Sequence, residues 1–280
     1  MRFSVFTAST PDWTPQEAAD TLAAQGWDGV EWRIIDQDPA DPPGFWAGNL
    51  ATWPLTGLEE SLADIDRVTR GAGLDYSGIG GYARTFERDD VARLLAATAM
   101  LGAGRVRVNT PLLKTGDYRD LFAEARKDLE WATAEAARLG VTVLVELHHE
   151  TIASSASAAL RLVDGLDPAT IGVIHDLGNL VIEGHEDHRA AWQLLGPYLQ
   201  HVHVKNVAWH RTATAEDGTV TWRHDWATLR EGQADVGGYL RALRAFGYDG
   251  WVTLEDFSTA LPLAERCADN LAYMKAALAQ

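Results

Sequence analysis

Short runs of β-branched and aromatic residues alternate along the chain with longer stretches rich in Ala, Leu, Arg and Glu at helical spacing. The runs predict eight strands: Arg2–Phe6, Gly29–Arg33, Tyr76–Gly80, Arg105–Asn109, Val141–His148, Ile171–Asp176, His201–Lys205 and Gly250–Glu255. The stretches between them predict helices over Pro15–Gln25, Glu59–Gly71, Asp90–Leu101, Tyr118–Leu139, Ser155–Leu166, His188–Leu195, Gly237–Phe246 and Leu261–Ala279. Gly26, Gly102, Gly140 and Gly247 stand just past helices, where a left-handed cap releases the chain into the next strand. Such βα units predict an α/β protein, a single (β/α)8 TIM barrel spanning residues 1–280 as one domain.

Two connections are too long for simple turns. Arg33–Leu58 carries four prolines with Trp46 and Trp53, and Val207–Asp235 carries Trp209, Trp222 and Trp226. Both follow a strand, the second and the seventh, so both are expected over the C-terminal mouth, where such barrels place substrate. Glu216-Asp217-Gly218, between Thr212–Ala215 and Thr219–Trp222, predicts a β-hairpin there. The tryptophans either pack the loops onto the barrel or stack on the apolar face of a sugar, with Trp46, Trp53, Trp209 and Trp222 as candidate contacts.

Alternation of side chains puts Glu146 and His148 on one face of the fifth strand, and His201, His203 and Lys205 on one face of the seventh. Asp176 closes the sixth strand and Glu255 the eighth. Four successive strands thereby deliver Glu146, Asp176, His203 and Glu255 to one level of the mouth. Each alone has an ordinary explanation as a helix cap, an ion-pair partner or a hydrogen-bonded core residue. Together, three carboxylates and an imidazole in a low-dielectric cavity need a cation. One divalent metal satisfies them, with Mn²⁺ the leading choice and Mg²⁺, Co²⁺ or Zn²⁺ as alternatives. His148 reads as a substrate contact or base, and Arg107, Asn109, Asn179 and Lys205 as binders of hydroxyl or anionic groups. His149 and His175 are expected to face the helices, and His201 to be buried and satisfied.

Composition narrows the picture. With 280 residues, 46% hydrophobic and 23% charged, the chain can bury a full core. The net charge of -16 repels phosphate backbones and anionic lipid, which predicts no nucleic-acid and no membrane partner. The N-terminus lacks an apolar leader-like run and no segment approaches membrane length, so a cytoplasmic location is expected. Cys267 is the only cysteine, which leaves neither a disulfide nor a thiolate cluster. The tryptophan surplus of the long loops suggests a homo-oligomer.

Gly29-Val-Glu31, Val143-Leu-Val-Glu146-Leu-His148, Val173-Ile-His-Asp176-Leu-Gly-Asn179, His201-Val-His203-Val-Lys205 and Gly247-Tyr-Asp-Gly-Trp-Val-Thr-Leu-Glu255 together resemble the xylose isomerase-like barrels, the sugar phosphate isomerase/epimerase type. The resemblance spans nearly the whole chain. It implies one metal held by Glu146, Asp176, His203 and Glu255, with the two glutamates also moving protons. The Asp-x-x-His of several such epimerases reads here Asp176-Leu-Gly-Asn179, so the expected histidine is an amide that does not titrate. The endonuclease IV-like branch needs further histidines. Asn109 and Asn179 stand in their place, and His224-Asp225 are adjacent rather than one residue apart.

The leading expectation is therefore a metal-dependent sugar or keto-sugar isomerase or epimerase, in which Glu146 and Glu255 transfer a proton next to a carbonyl through an enediolate. A lyase-type deglycosidase of 3-keto-glycosides would use the same site, and a non-catalytic sugar-binding barrel would keep it for structure.

Overall fold

The computed structural model describes residues 1–279. Its elements follow in the order β1 (Arg2–Phe6), α1 (Pro15–Gln25), β2 (Gly29–Ile34), β3 (Thr52–Trp53), α2 (Leu58–Gly71), β4 (Asp75–Gly81), α3 (Arg88–Leu101), β5 (Arg105–Arg107), α4 (Tyr118–Leu139), β6 (Thr142–Glu146), α5 (Ala156–Val163), β7 (Ile171–Asp176), α6 (Leu177–Glu183), α7 (His188–Leu195), β8 (Leu199–Val204), β9 (Asn206–Thr214), β10 (Val220–Ala227), α8 (Val236–Phe246), β11 (Trp251–Leu254) and α9 (Leu263–Ala279). The parallel strands neighbour one another as β1, β11, β8, β7, β6, β5, β4 and β2, and β2 pairs back with β1. The sheet is therefore a closed (β/α)8 barrel. β3 adds outside it onto β2, and β9 and β10 form a separate antiparallel ribbon.

Alternation along the strands sorts the chemistry. Val143 and Val145 of β6, Val173 of β7, Val202 and Val204 of β8, and Val252 and Leu254 of β11 join the apolar core shared with the helices. The residues between them turn the other way, into the barrel, and many are polar: Ser4, Glu31, Glu146, Asp176, His201, His203 and Thr253 are all buried. Inside, Ser4 Oγ lies 2.7 Å from Thr253 Oγ1, which lies 2.8 Å from His201 Nε2.

The strand ends differ from expectation where the chain must turn. β6 stops at Glu146, because Leu147 makes one last bond to the Ile174 carbonyl before the chain bends through Glu150, whose φ is 62°. His148 thus lies beyond the strand. β5 ends at Arg107, and Asn109 makes only an isolated bridge to Arg84. α6 was not expected: it starts on the last residue of β7, with the Asp176 side chain accepting from the Asn179 amide at 2.8 Å. The hairpin is present but much longer than its turn suggested, with a register shift between Thr221 and Trp222. No helix among the described residues is long and apolar enough to cross a membrane.

His175 faces the helices as expected, buried, with Nδ1 2.8 Å from the Tyr239 hydroxyl. Burial, aided by His188, pulls it down to about 3. The unfolded chain, titrating near 6.5, takes up a proton that the folded one refuses. Stability is therefore complete above about 6.5 and lost as pH falls toward about 3. His175→Gln in metal-free protein should shallow the acid slope by up to about 1.4 kcal/mol per pH unit, as read by urea unfolding at a series of pH values. An unaltered slope would refute this assignment.

Candidate metal centre and substrate cavity

Glu146, Asp176, His203 and Glu255 come together at the C-terminal ends of β6, β7, β8 and β11, all buried, with one potential ligand atom from each within 4.8 Å of the others. His203 Nδ1 is 3.4 Å from Glu146 Oε1, 3.4 Å from Glu255 Oε1 and 3.7 Å from Asp176 Oδ2. It has no hydrogen-bond partner. The other ring nitrogen, Nε2, is 3.1 Å from Glu31 Oε2, which also receives His201 Nε2 at 3.1 Å. Glu31 therefore fixes the imidazole and leaves Nδ1 turned toward the carboxylates, the arrangement that orients a metal-binding histidine.

Two permanent cations stand within ion-pairing distance of these carboxylates. Arg107 NH1 is 2.8 Å from Glu146 Oε2 and 4.0 Å from Glu255 Oε1. Lys205 Nζ is 2.6 Å from Asp176 Oδ2, 3.9 Å from Glu146 Oε1 and in direct contact with Glu255 Oε2. Burial would raise Glu146 and Glu255, yet Arg107 holds the first well below the usual carboxylate range, while Lys205 and His203 hold the second at about 2. Asp176 goes the other way. Burial, with Glu255 and Glu146 close by, pushes it up to about 8 against the pull of Lys205. Burial would lower His203, but Glu31 and Glu255 keep it well above its ordinary value.

Four buried carboxylates, counting Glu31, crowd around Arg107, Lys205 and His203, a setting in which a divalent ion would add compensating positive charge. The donor set of three carboxylates and one imidazole, with an unpartnered buried nitrogen aimed into it, fits such an ion.

Above this floor opens a cavity of about 300 Å³. Of the sequence candidates, Arg107, Asn109, Asn179, Lys205, His148 and Trp46 line it. Asn179 holds its neighbours in place. Its Nδ2 donates to Glu146 Oε1 at 3.4 Å and to the Leu147 carbonyl at 3.1 Å, and its Oδ1 meets His149 Nδ1 at 2.9 Å. His149 is a correction, since it lines the cavity and stacks on His148 at 4.4 Å instead of facing the helices.

Trp209 is a second correction. Its indole donates to the Val181 carbonyl at 3.1 Å, and the residue is not part of the cavity wall, because alternation along β9 turns it toward α6. Trp53 packs edge-on against Trp32 behind the barrel, and Trp222 stands 58% exposed on the ribbon. The wall is instead built by Tyr82, Trp226 and Phe257 with Trp46. Phe257 centres this group, 4.8 Å from the Trp46 ring and 5.2 Å from that of Trp226. Phe257 sits two residues past Glu255, beyond the end of β11, where strand alternation no longer assigns a face.

Beneath the site lies a stack. Arg107 sits 4.9 Å over the Phe6 ring and 4.6 Å over that of Tyr82, and Phe6 stacks on the His203 ring at 6.0 Å. Gly80 makes room for Phe6, because a Cβ there would overlap its ring. Gly80→Ala should cost about 1–3 kcal/mol of stability, the usual range for overpacking. Thermal unfolding checks this, and wild-type stability would mean that Phe6 can move aside freely.

A closed parallel barrel with a carboxylate and imidazole cluster at its C-terminal mouth defines the class. The chain belongs to the xylose isomerase-like TIM barrel family, whose model matches residues 19–277. It is similar to the inosose dehydratase of Geobacillus thermodenitrificans (strain NG80-2), 24% identical over 182 residues, which is 61% of this chain and 60% of the dehydratase. The match thus spans under two thirds of that enzyme's length. Among solved structures the fold resembles 3-keto-D-glucoside 4-epimerase YcjR from E. coli, with a TM-score of 0.74 at 17% identity over 99% of both chains. It also resembles a xylose isomerase-like TIM barrel protein from Mycobacterium smegmatis in complex with magnesium, with a TM-score of 0.66 at 18% identity over 99% of this chain and 97% of the other.

Proposed function

We propose that this protein is a divalent-metal-dependent sugar or keto-sugar isomerase or epimerase that removes and returns a proton next to a carbonyl. One observation carries the reading. Glu146 and Glu255 flank His203 Nδ1 at 3.4 Å each on the floor of a cavity of about 300 Å³, and both are ionised carboxylates able to accept a proton. A divalent ion held by Glu146, Asp176, His203 and Glu255 would supply the positive charge that makes a carbonyl's α-proton acidic.

The chain's own groups do the rest. One glutamate takes the proton and the other delivers it, while Arg107 keeps Glu146 ionised between turnovers and Lys205, with His203, does the same for Glu255. Asn179 fixes the Glu146 carboxylate without competing for the proton. Asn109 and His148 offer polar contacts to hydroxyls, and Trp46, Trp226 and Phe257 offer flat apolar surface.

A second reading shares the first step and ends in elimination, as in a lyase acting on a 3-keto-glycoside. The aromatic wall favours it, since an apolar leaving group would fit there. The sequence relation to a dehydratase supports it as well. Analysis of the products from a keto-glycoside distinguishes an epimer from a released aglycone.

Glu146→Gln and Glu255→Gln should each lower turnover by about 10²–10⁴-fold, the range for a positioned acid or base, with a smaller effect on substrate binding. Metal content measured in the same samples separates a lost proton carrier from a lost ligand. In deuterated water the wild type should place solvent deuterium next to the carbonyl. Full turnover without exchange would point to hydride transfer and sink the proton mechanism.

A further inference from the structure

The charge balance of the floor leaves Lys205 with a part to play beyond substrate contact. The residue is 3% exposed, and its ammonium shares two of the candidate metal-binding carboxylates, lying 2.6 Å from Asp176 Oδ2 and against Glu255 Oε2. Asp176 Oδ2 is the same oxygen that faces His203 Nδ1 at 3.7 Å. The aliphatic stem is fixed, because it passes Gly178 at the start of α6, where a Cβ would overlap Lys205 Cγ. Trp226 bounds the other side, its ring 5.9 Å from Nζ.

We propose that Lys205 is a resident counter-cation of the metal centre: it supplies one fixed positive charge to Asp176 and Glu255, holds the metal-free barrel together, and weakens the grip of the cluster on a divalent ion. This rests on the metal reading above. Two carboxylates buried side by side repel strongly unless a cation lies between them, and the Lys205 ammonium takes that place between Asp176 and Glu255. The same charge would repel a divalent ion held by the carboxylates it contacts. Lys205 thus trades affinity for an ordered apo state, and the ion becomes exchangeable instead of permanently trapped.

The test uses Mn²⁺ alone, with the free ion followed by its electron paramagnetic resonance signal and stoichiometry by calorimetry. Lys205→Met should bind Mn²⁺ at least tenfold more tightly than wild type. Its metal-free form should melt at lower temperature, and its melting temperature should rise more on Mn²⁺ addition. Lys205→Arg, which keeps the charge, should hold the ion as wild type does. Lys205→Gln, neutral but still able to donate to Asp176, serves as the second neutral variant and should behave like Lys205→Met. A neutral variant that folds only when Mn²⁺ is present would give the same result in stronger form. Equal or weaker Mn²⁺ binding by both neutral variants, with wild type binding one ion, overturns the proposal alone. So does a neutral variant that stays unfolded at saturating Mn²⁺. Wild-type protein that binds no Mn²⁺ overturns the metal reading and this proposal together.

Discussion

Putting carboxylates out of contact with water requires positive charge beside them, and the mouth of this barrel is organised around that requirement. Glu31, Glu146, Asp176 and Glu255 are all at most 4% exposed. Stripping the hydration from such groups is more costly than any single hydrogen bond can repay. Each neighbour answers this in its own way. Arg107 is drawn in to Glu146 and then roofed over by Phe6 and Tyr82. His203 is turned by Glu31 so that one nitrogen is occupied and the other is left for the cluster. α6 begins at Asp176 itself, so that one carboxylate oxygen caps a helix while the other meets Lys205.

The cavity combines this charged floor with walls drawn from separate connections. Trp46 comes from the segment after β2, Trp226 from the base of the ribbon, and Phe257 from just beyond β11. Their mutual packing ties three otherwise independent loops to one another. Arg33 reinforces the first of them, donating to Gln37, Thr52 and the Trp46 carbonyl from a buried position. A ligand with polar groups for the floor and apolar surface for the walls matches what these residues present.

Much of this was legible in the order of residues along the chain. The strand pattern was strong because the outward faces are nearly unbroken Val, Leu and Ile, and the four cluster residues stood out as charges at the ends of such runs. α6 escaped because it is seven residues long and its capping residue, Asp176, is also the last residue of a strand, which leaves no loop between the two elements. The part played by Glu31 could not be read, since its partners His201 and His203 lie about 170 positions away and come near only by barrel closure. The tryptophans misled for a related reason. An indole reads the same whether it roofs a ligand, like Trp46, or bonds a helix carbonyl, like Trp209. His149 was assigned to the wrong face because strand alternation was carried past Glu146, where β6 has already ended.

The ribbon of β9 and β10 has a consequence for how the molecule meets its own kind. Closing a sheet into a barrel removes the free edges through which strands recruit other strands. The ribbon stands off the barrel and so restores two of them, with Trp222 largely exposed near its tip. The ribbon carries Arg211, Glu216, Asp217, Arg223 and Asp225, the last two paired at 2.7 Å, and its register shifts between Thr221 and Trp222. Charges and a bulge are the features that discourage a second backbone from docking along an edge. Substituting apolar residues for those charges would leave the barrel untouched and still turn the ribbon into an adhesive strand pair.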